Sequence, residues 1–174
     1  MSVALKTIKI HLNGVWREAS IEADQTLADL LRNQFGLTGT KLNCRQGECG
    51  SCTVLVNGKG VTSCLVLPAS VDGAEIVTVE GLTEAGEPGD IQEAFMEADG
   101  SQCGFCTPGM VMSAEALLRE DQEPSKEAIY EALAGNLCRC TGYKNIVAAV
   151  ELAAARRRDG NAARKEEHGK DNRS

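Results

Sequence analysis

Aromatic residues are scarce, with one tryptophan, three phenylalanines and two tyrosines among 174 residues. Neither half of the chain can therefore build its core on large aromatic packing. Only two histidines occur: His11 falls opposite Ile10 and Leu12 in a strand alternation, and His168 sits in a charged tail, so no histidine-based site is expected. The chain opens without a charged segment followed by a long apolar run, and nowhere does it reach about 18 consecutive apolar residues. These absences predict a soluble, cytoplasmic protein without a membrane span. Neither G-x-G-x-x-G nor G-x4-G-K-[ST] is found, so no flavin or nucleotide site is expected on this chain. Positive charge is missing from the whole interval between Lys59 and Arg119. Ten acids fall there, Asp72, Glu75, Glu80, Glu84, Glu87, Asp90, Glu93, Glu97, Asp99 and Glu115, within a net charge of -7. Such a surface repels a phosphate backbone, which excludes nucleic acid as a partner; it reads either as a solvated face or as a docking face for a basic partner protein.

What the sequence does have is thiols, eight of them, in two quartets with none left over. In a reducing compartment eight cysteines are metal or cluster ligands rather than four disulfides. Cys44, Cys49, Cys52 and Cys64 follow C-x4-C-x2-C with a distant fourth ligand, the spacing of plant-type 2Fe-2S ferredoxins. Gly47 and Gly50 permit the tight turns that a three-sulfur loop needs and let backbone N-H groups point at sulfur. A structural zinc site would more commonly pair two short C-x2-4-C knuckles. Cys103 and Cys106 form C-x2-C, and Cys138 and Cys140 form C-x-C after 31 intervening residues. That spacing by itself fits zinc, a 2Fe-2S or a 4Fe-4S centre. Arg139, between two of these thiols, either offsets the charge of a four-thiolate cluster or is an ordinary surface arginine.

Around the thiols the pattern changes from strands to helices. Alternation over Lys6–Leu12, a turn at Asn13-Gly14 and a return over Val15–Ile21 predict a hairpin. Asp24 is a candidate N-cap for a short helix carrying Leu27, Leu30 and Leu31. A second hairpin turns at Asn57-Gly58, its far strand running from Val61 to Leu67 and holding Cys64, and a last strand covers 76–79. The Gly- and acid-rich stretch 80–89 contains the boundary. Beyond it, helices are expected at 91–98, 108–119, 126–134 and 145–156, with Pro108 in a first turn and Ser125 as a cap. From Arg156 onward seven bases face four acids with almost nothing to bury, a composition expected to stay disordered. The fold class is α+β, divided as 1–80, a linker 81–89, a helical domain 90–156 and a charged tail 157–174.

Three stretches carry a resemblance: Cys-Arg-Gln-Gly-Glu-Cys-Gly-Ser-Cys-Thr-Val at 44–54, Gln-Cys-Gly-Phe-Cys-Thr-Pro-Gly-Met at 102–110, and Gly-Asn-Leu-Cys-Arg-Cys-Thr-Gly-Tyr at 135–143. Together they resemble the small iron-sulfur subunit of the molybdenum hydroxylases, the xanthine dehydrogenase family, over about residues 5–155. The resemblance implies a β-grasp ferredoxin domain followed by a four-helix bundle, each holding one 2Fe-2S cluster. It further implies that Cys103, Cys106, Cys138 and Cys140 hold the cluster nearer a molybdopterin cofactor, and Cys44, Cys49, Cys52 and Cys64 the cluster nearer a flavin. Gln102 and Cys140 match the positions that contact the pterin. The partners so implied are a large molybdopterin-binding subunit and an FAD-binding medium subunit in a heterotrimer, with no catalytic residue on this chain. Asn43 departs from the family, which commonly has glycine before the first ligand; asparagine tolerates a left-handed backbone better than most residues. Two other readings compete: a free-standing ferredoxin-type carrier, which has no need of a pterin contact at Gln102, and a colourless zinc-stabilised interaction module.

Overall fold

The computed structural model describes residues 6–83 and 85–171, with the backbone alone for 161–171. Two hairpins form where Asn-Gly pairs supply consecutive left-handed residues: Asn13 and Gly14 have φ of 48° and 82°, Asn57 and Gly58 of 49° and 81°. The first joins β1 (Lys6–Leu12) to β2 (Val15–Ile21) and the second joins β3 (Thr53–Val56) to β4 (Lys59–Thr62). β5 (Glu75–Val77) is inserted between them, parallel to β1 and antiparallel to β3, giving the order β2-β1-β5-β3-β4. Helix α1 (Leu27–Asn33) lies over this sheet because Leu27, Leu30 and Leu31 share one face and bury against Ile8, Ile10, Leu12 and Ile76.

Two local expectations are corrected. The cap of α1 is Thr26, whose hydroxyl accepts from the Asp29 N-H at 3.1 Å, so the helix starts two residues later than an Asp24 cap would allow. The strand expected to carry Cys64 stops at Thr62 and the chain enters a 3-10 turn over Ser63–Leu65. The Ser63 hydroxyl and N-H both donate to the Cys52 carbonyl, at 2.6 and 3.3 Å, which pulls the chain out of the strand and toward the thiol loop.

The second half consists of α2 (Asp90–Glu97), α3 (Thr107–Glu120), α4 (Lys126–Leu133) and α5 (Lys144–Asp171). Ile91, Phe95, Met110, Val111, Leu118, Ile129, Ile146 and Val150 form its core. The stretch whose composition suggested disorder from residue 157 continues as helix to Asp171; residues 172–174 lie outside the described residues. Its start is tied down electrostatically, since Arg157 reaches both Asp90 and Glu115 and Arg156 reaches Glu97. The halves meet where Met112 of α3 inserts against Leu55 and Val77 on the sheet. Gly109 brings α3 so close to Gly50 and Ser51 that a Cβ there would overlap backbone.

Candidate functional site

The first thiol loop runs from the end of α1 to β3 with almost no regular structure, and side chains hold its shape. Arg32 donates to the carbonyls of Thr38 and Thr40 at 3.0 and 2.8 Å, and the Gly39 N-H donates to Glu80 at 2.7 Å. Arg45, left-handed at φ 56°, is clamped to Asp29 of α1 by a two-pronged ion pair. Asn43 is not among the left-handed residues, so its place in this loop demands no glycine. Gly47 and Gly50, at φ 77° and 65°, complete the loop.

This loop brings Cys44, Cys49, Cys52 and Cys64 together as two pairs, with Cys44 facing Cys49 and Cys52 facing Cys64. Cys49, Cys52 and Cys64 are buried and Cys44 is half-exposed. The backbone N-H of Gln46 donates to the Cys44 sulfur at 3.4 Å and brings that thiol down to about 7, whereas burial pushes the Cys52 thiol up to about 11.

The second quartet also splits two by two. The Cys103 and Cys140 sulfurs stand 3.6 Å apart, and Cys106 faces Cys138. Cys106 is the N-cap of α3, and burial pushes its thiol up to about 12. The backbone N-H of Phe105 lowers Cys103. At Cys138 burial acts upward, and hydrogen bonds from the Thr141 hydroxyl and from the Thr141 and Cys140 N-H groups outweigh it. Cys103, Cys140 and Gln102 are exposed along one edge, and Gln102 makes no hydrogen bond to any other described residue.

Paired sulfurs bear on what these sites can hold. A single tetrahedral zinc, with Zn–S of about 2.3 Å, would draw all four sulfurs to within about 3.8 Å of one another. Two pairs of thiols match a two-iron rhomb, in which each iron takes two cysteines, and N-H groups aimed at sulfur suit the negative charge of such a centre. The residues therefore fit a 2Fe-2S cluster at each quartet.

The sites are joined by contacts that the spacing of the cysteines does not reveal. The Leu137 N-H donates to the Cys49 carbonyl at 3.0 Å, and the buried Asn136 amide donates to the Gly50 carbonyl, also at 3.0 Å, while accepting from Ser113 at 2.8 Å. Leu137 directly precedes Cys138 and bonds to Cys49 itself, while Asn136, two residues before Cys138, bonds to Gly50, which follows Cys49. In the sequence this contact shows only as an asparagine within Gly-Asn-Leu-Cys at 135–138.

Comparison with known proteins agrees with this geometry. Residues 10–80 match the 2Fe-2S iron-sulfur cluster binding domain and residues 78–151 match a second 2Fe-2S binding domain. The chain is 49% identical over 150 residues to the nicotinate dehydrogenase small FeS subunit of Eubacterium barkeri, covering 86% of this chain and 96% of that one. It is 52% identical over 143 residues to the nicotine 6-hydroxylase small subunit of Paenarthrobacter nicotinovorans, covering 82% and 86%. Quinoline 2-oxidoreductase from Pseudomonas putida 86 superposes with a TM-score of 0.85 at 43% identity, over 90% of this chain and 98% of that chain.

Proposed function

The chain belongs to the small iron-sulfur subunits of the molybdenum hydroxylases, the xanthine dehydrogenase family, and from that premise we propose how its residues divide the work of electron transfer. Cys44, Cys49, Cys52 and Cys64 hold one 2Fe-2S cluster in a β-grasp ferredoxin domain. Cys103, Cys106, Cys138 and Cys140 hold the other in a bundle formed by α2 to α5. Residues 1–80 and 90–156 are the two domains, joined by 81–89. A bound 2Fe-2S cluster supplies one-electron chemistry, so a two-electron oxidation on a partner chain can be passed on singly to a flavin or another acceptor.

The observation that carries this reading is the separation of eight thiols into two sets of paired sulfurs bridged by main chain. The protein's own residues do no bond-making. Cys49 and Cys138 present their sulfurs on either side of the Leu137-to-Cys49 hydrogen bond, so a short run of covalent bonds and one hydrogen bond connects the two sets. Exposed Cys103, Cys140 and Gln102 form the edge that meets the molybdopterin-binding subunit, with Gln102 free to donate to the pterin. Beside them, a groove of about 430 Å³ lined by Phe95, Met96, Gly104, Pro108 and Val111 offers apolar surface to that subunit. Among the described residues no helix is long and apolar enough to cross a membrane; a cytoplasmic heterotrimer completes the proposal.

Tagging this chain in its native host and purifying it anaerobically tests the assignment. A molybdopterin-containing large chain and an FAD-containing chain should accompany it in equal amounts. Recovery of the cluster-loaded chain alone, at every salt concentration, would favour a free-standing carrier instead.

A further inference from the structure

The loop after Cys140 is held in an unusual conformation whose effect converges on one sulfur. Gly142 and Tyr143 are both left-handed, at φ of 63° and 66°, and for a tyrosine that backbone is uncommon and costs energy. The turn folds the Tyr143 side chain back beneath the ligand loop. Its hydroxyl donates to the Asn136 carbonyl at 2.8 Å and accepts from the Cys138 N-H at 3.0 Å. The same turn aims the Tyr143 N-H at the Thr141 hydroxyl oxygen, 3.2 Å away. Thr141 in turn stands with that hydroxyl 3.0 Å from the Cys138 sulfur.

Accounting for protons fixes the direction of this last contact. A cysteine bound to iron is a thiolate and has no proton to give. The Thr141 oxygen already accepts from the Tyr143 N-H, so its own proton is free for the sulfur. Resting on the assignment of Cys138 as a cluster ligand, we propose that Thr141 is a positioning residue that sets the reduction potential of the second cluster by donating its hydroxyl hydrogen bond to the Cys138 sulfur. Reduction adds negative charge to the cluster and its thiolates, so a donor aimed at sulfur binds the reduced form more tightly and raises the potential. Cys138 is also the ligand next to Leu137, on the side facing the first thiol loop. The hydroxyl thus acts on the ligand closest to the route between the two sets, and Tyr143 acts one step further out by fixing the lone pair that the hydroxyl has left.

The test is an EPR-monitored redox titration of the assembled complex carrying Thr141→Val or Thr141→Ser. Thr141→Val should keep both 2Fe-2S signals and the iron content while lowering the midpoint of the second-quartet signal alone. A tenfold loss in the one-electron reduction constant corresponds to about 59 mV. Thr141→Ser, which keeps the hydroxyl, should stay near the parent value. An unchanged midpoint in Thr141→Val, or the same shift in Thr141→Ser, would overturn the proposal. Should the valine variant lose iron, Thr141→Ala is read in its place, and loss of the cluster there as well would assign Thr141 a purely structural role. Failure of the wider assignment would look different, because the parent complex would then lack one of the two signals.

Discussion

Gly109 offers a demanding test of how the two halves are held. A Cβ added there would lie 3.0 Å from the Ser51 Cα and 3.1 Å from the Gly50 carbonyl carbon and would overlap the Gly50 carbonyl oxygen outright, where ordinary contact begins at about 3.4 Å. Every one of those atoms is backbone, so no side chain can swing aside. Two effects oppose each other in Gly109→Ala. Alanine in a helix gains roughly 0.5–1 kcal/mol over glycine, whereas forcing extra volume into a packed contact costs roughly 1–3 kcal/mol. The clash should win by about 1–2 kcal/mol, lowering the thermal midpoint by about 2–8 °C for a chain of this size. The helix must also back away from the loop carrying Cys49 and Cys52, stretching the Leu137-to-Cys49 hydrogen bond. Differential scanning calorimetry and the rate at which the second electron-transfer signal follows the first after rapid reduction read both consequences. Gly135→Ala is the matched control, since nothing lies within 4 Å of its added Cβ. A Gly109→Ala protein as stable as its parent, with unchanged transfer between the centres, would refute this account of the contact.

Asn136→Ala removes a buried amide that satisfies Gly50 and Ser113 together and should cost about 1–3 kcal/mol, read by urea unfolding; a loss below the error of that measurement would mean that water replaces the amide without penalty. The Arg157 guanidinium holds the Asp90 carboxyl below its ordinary range. A carboxyl depressed on folding stabilises above its unfolded pKa of about 3.9 and loses that contribution as pH falls through the lower folded value. The stability deficit of Arg157→Met should accordingly be larger at pH 7 than at pH 3.5 by far-UV circular dichroism, and an equal deficit at both would remove the ion pair as its cause. Met112→Ala opens a cavity between the sheet and α3 and should cost about 2–5 kcal/mol, and a loss under 1 kcal/mol would show that the halves do not rely on that side chain.

Much of this was legible in the residues because its physics is local. Asn-Gly turns, leucines on one face of α1, Ser125 as a cap and the C-x4-C-x2-C spacing each need only neighbours in sequence to be read. The cap of α1 differs by a local choice between Asp24 and Thr26, and the larger differences came where distant groups intervened. Strand β4 ends early because Ser63 bonds to the Cys52 carbonyl, and α5 is anchored beyond Arg156 because Arg157 finds Asp90 and Glu115. For the same reason the roles of Gly109 and Asn136 were invisible, since their partners Gly50, Ser51 and Ser113 are distant in sequence. Thr141 and Tyr143 have near neighbours as partners, but the left-handed turn that brings them together has no sequence signature at a tyrosine. The two-by-two pairing of the second quartet, which C-x2-C and C-x-C spacing alone does not give, fits a two-iron centre.

The central claim is that eight cysteines hold two 2Fe-2S clusters, and metal analysis combined with EPR of the dithionite-reduced, anaerobically purified protein addresses it directly. About four irons per chain and two distinguishable 2Fe-2S signals are expected from two four-cysteine sites. Zinc in either quartet, or a single signal at full iron loading, would contradict it.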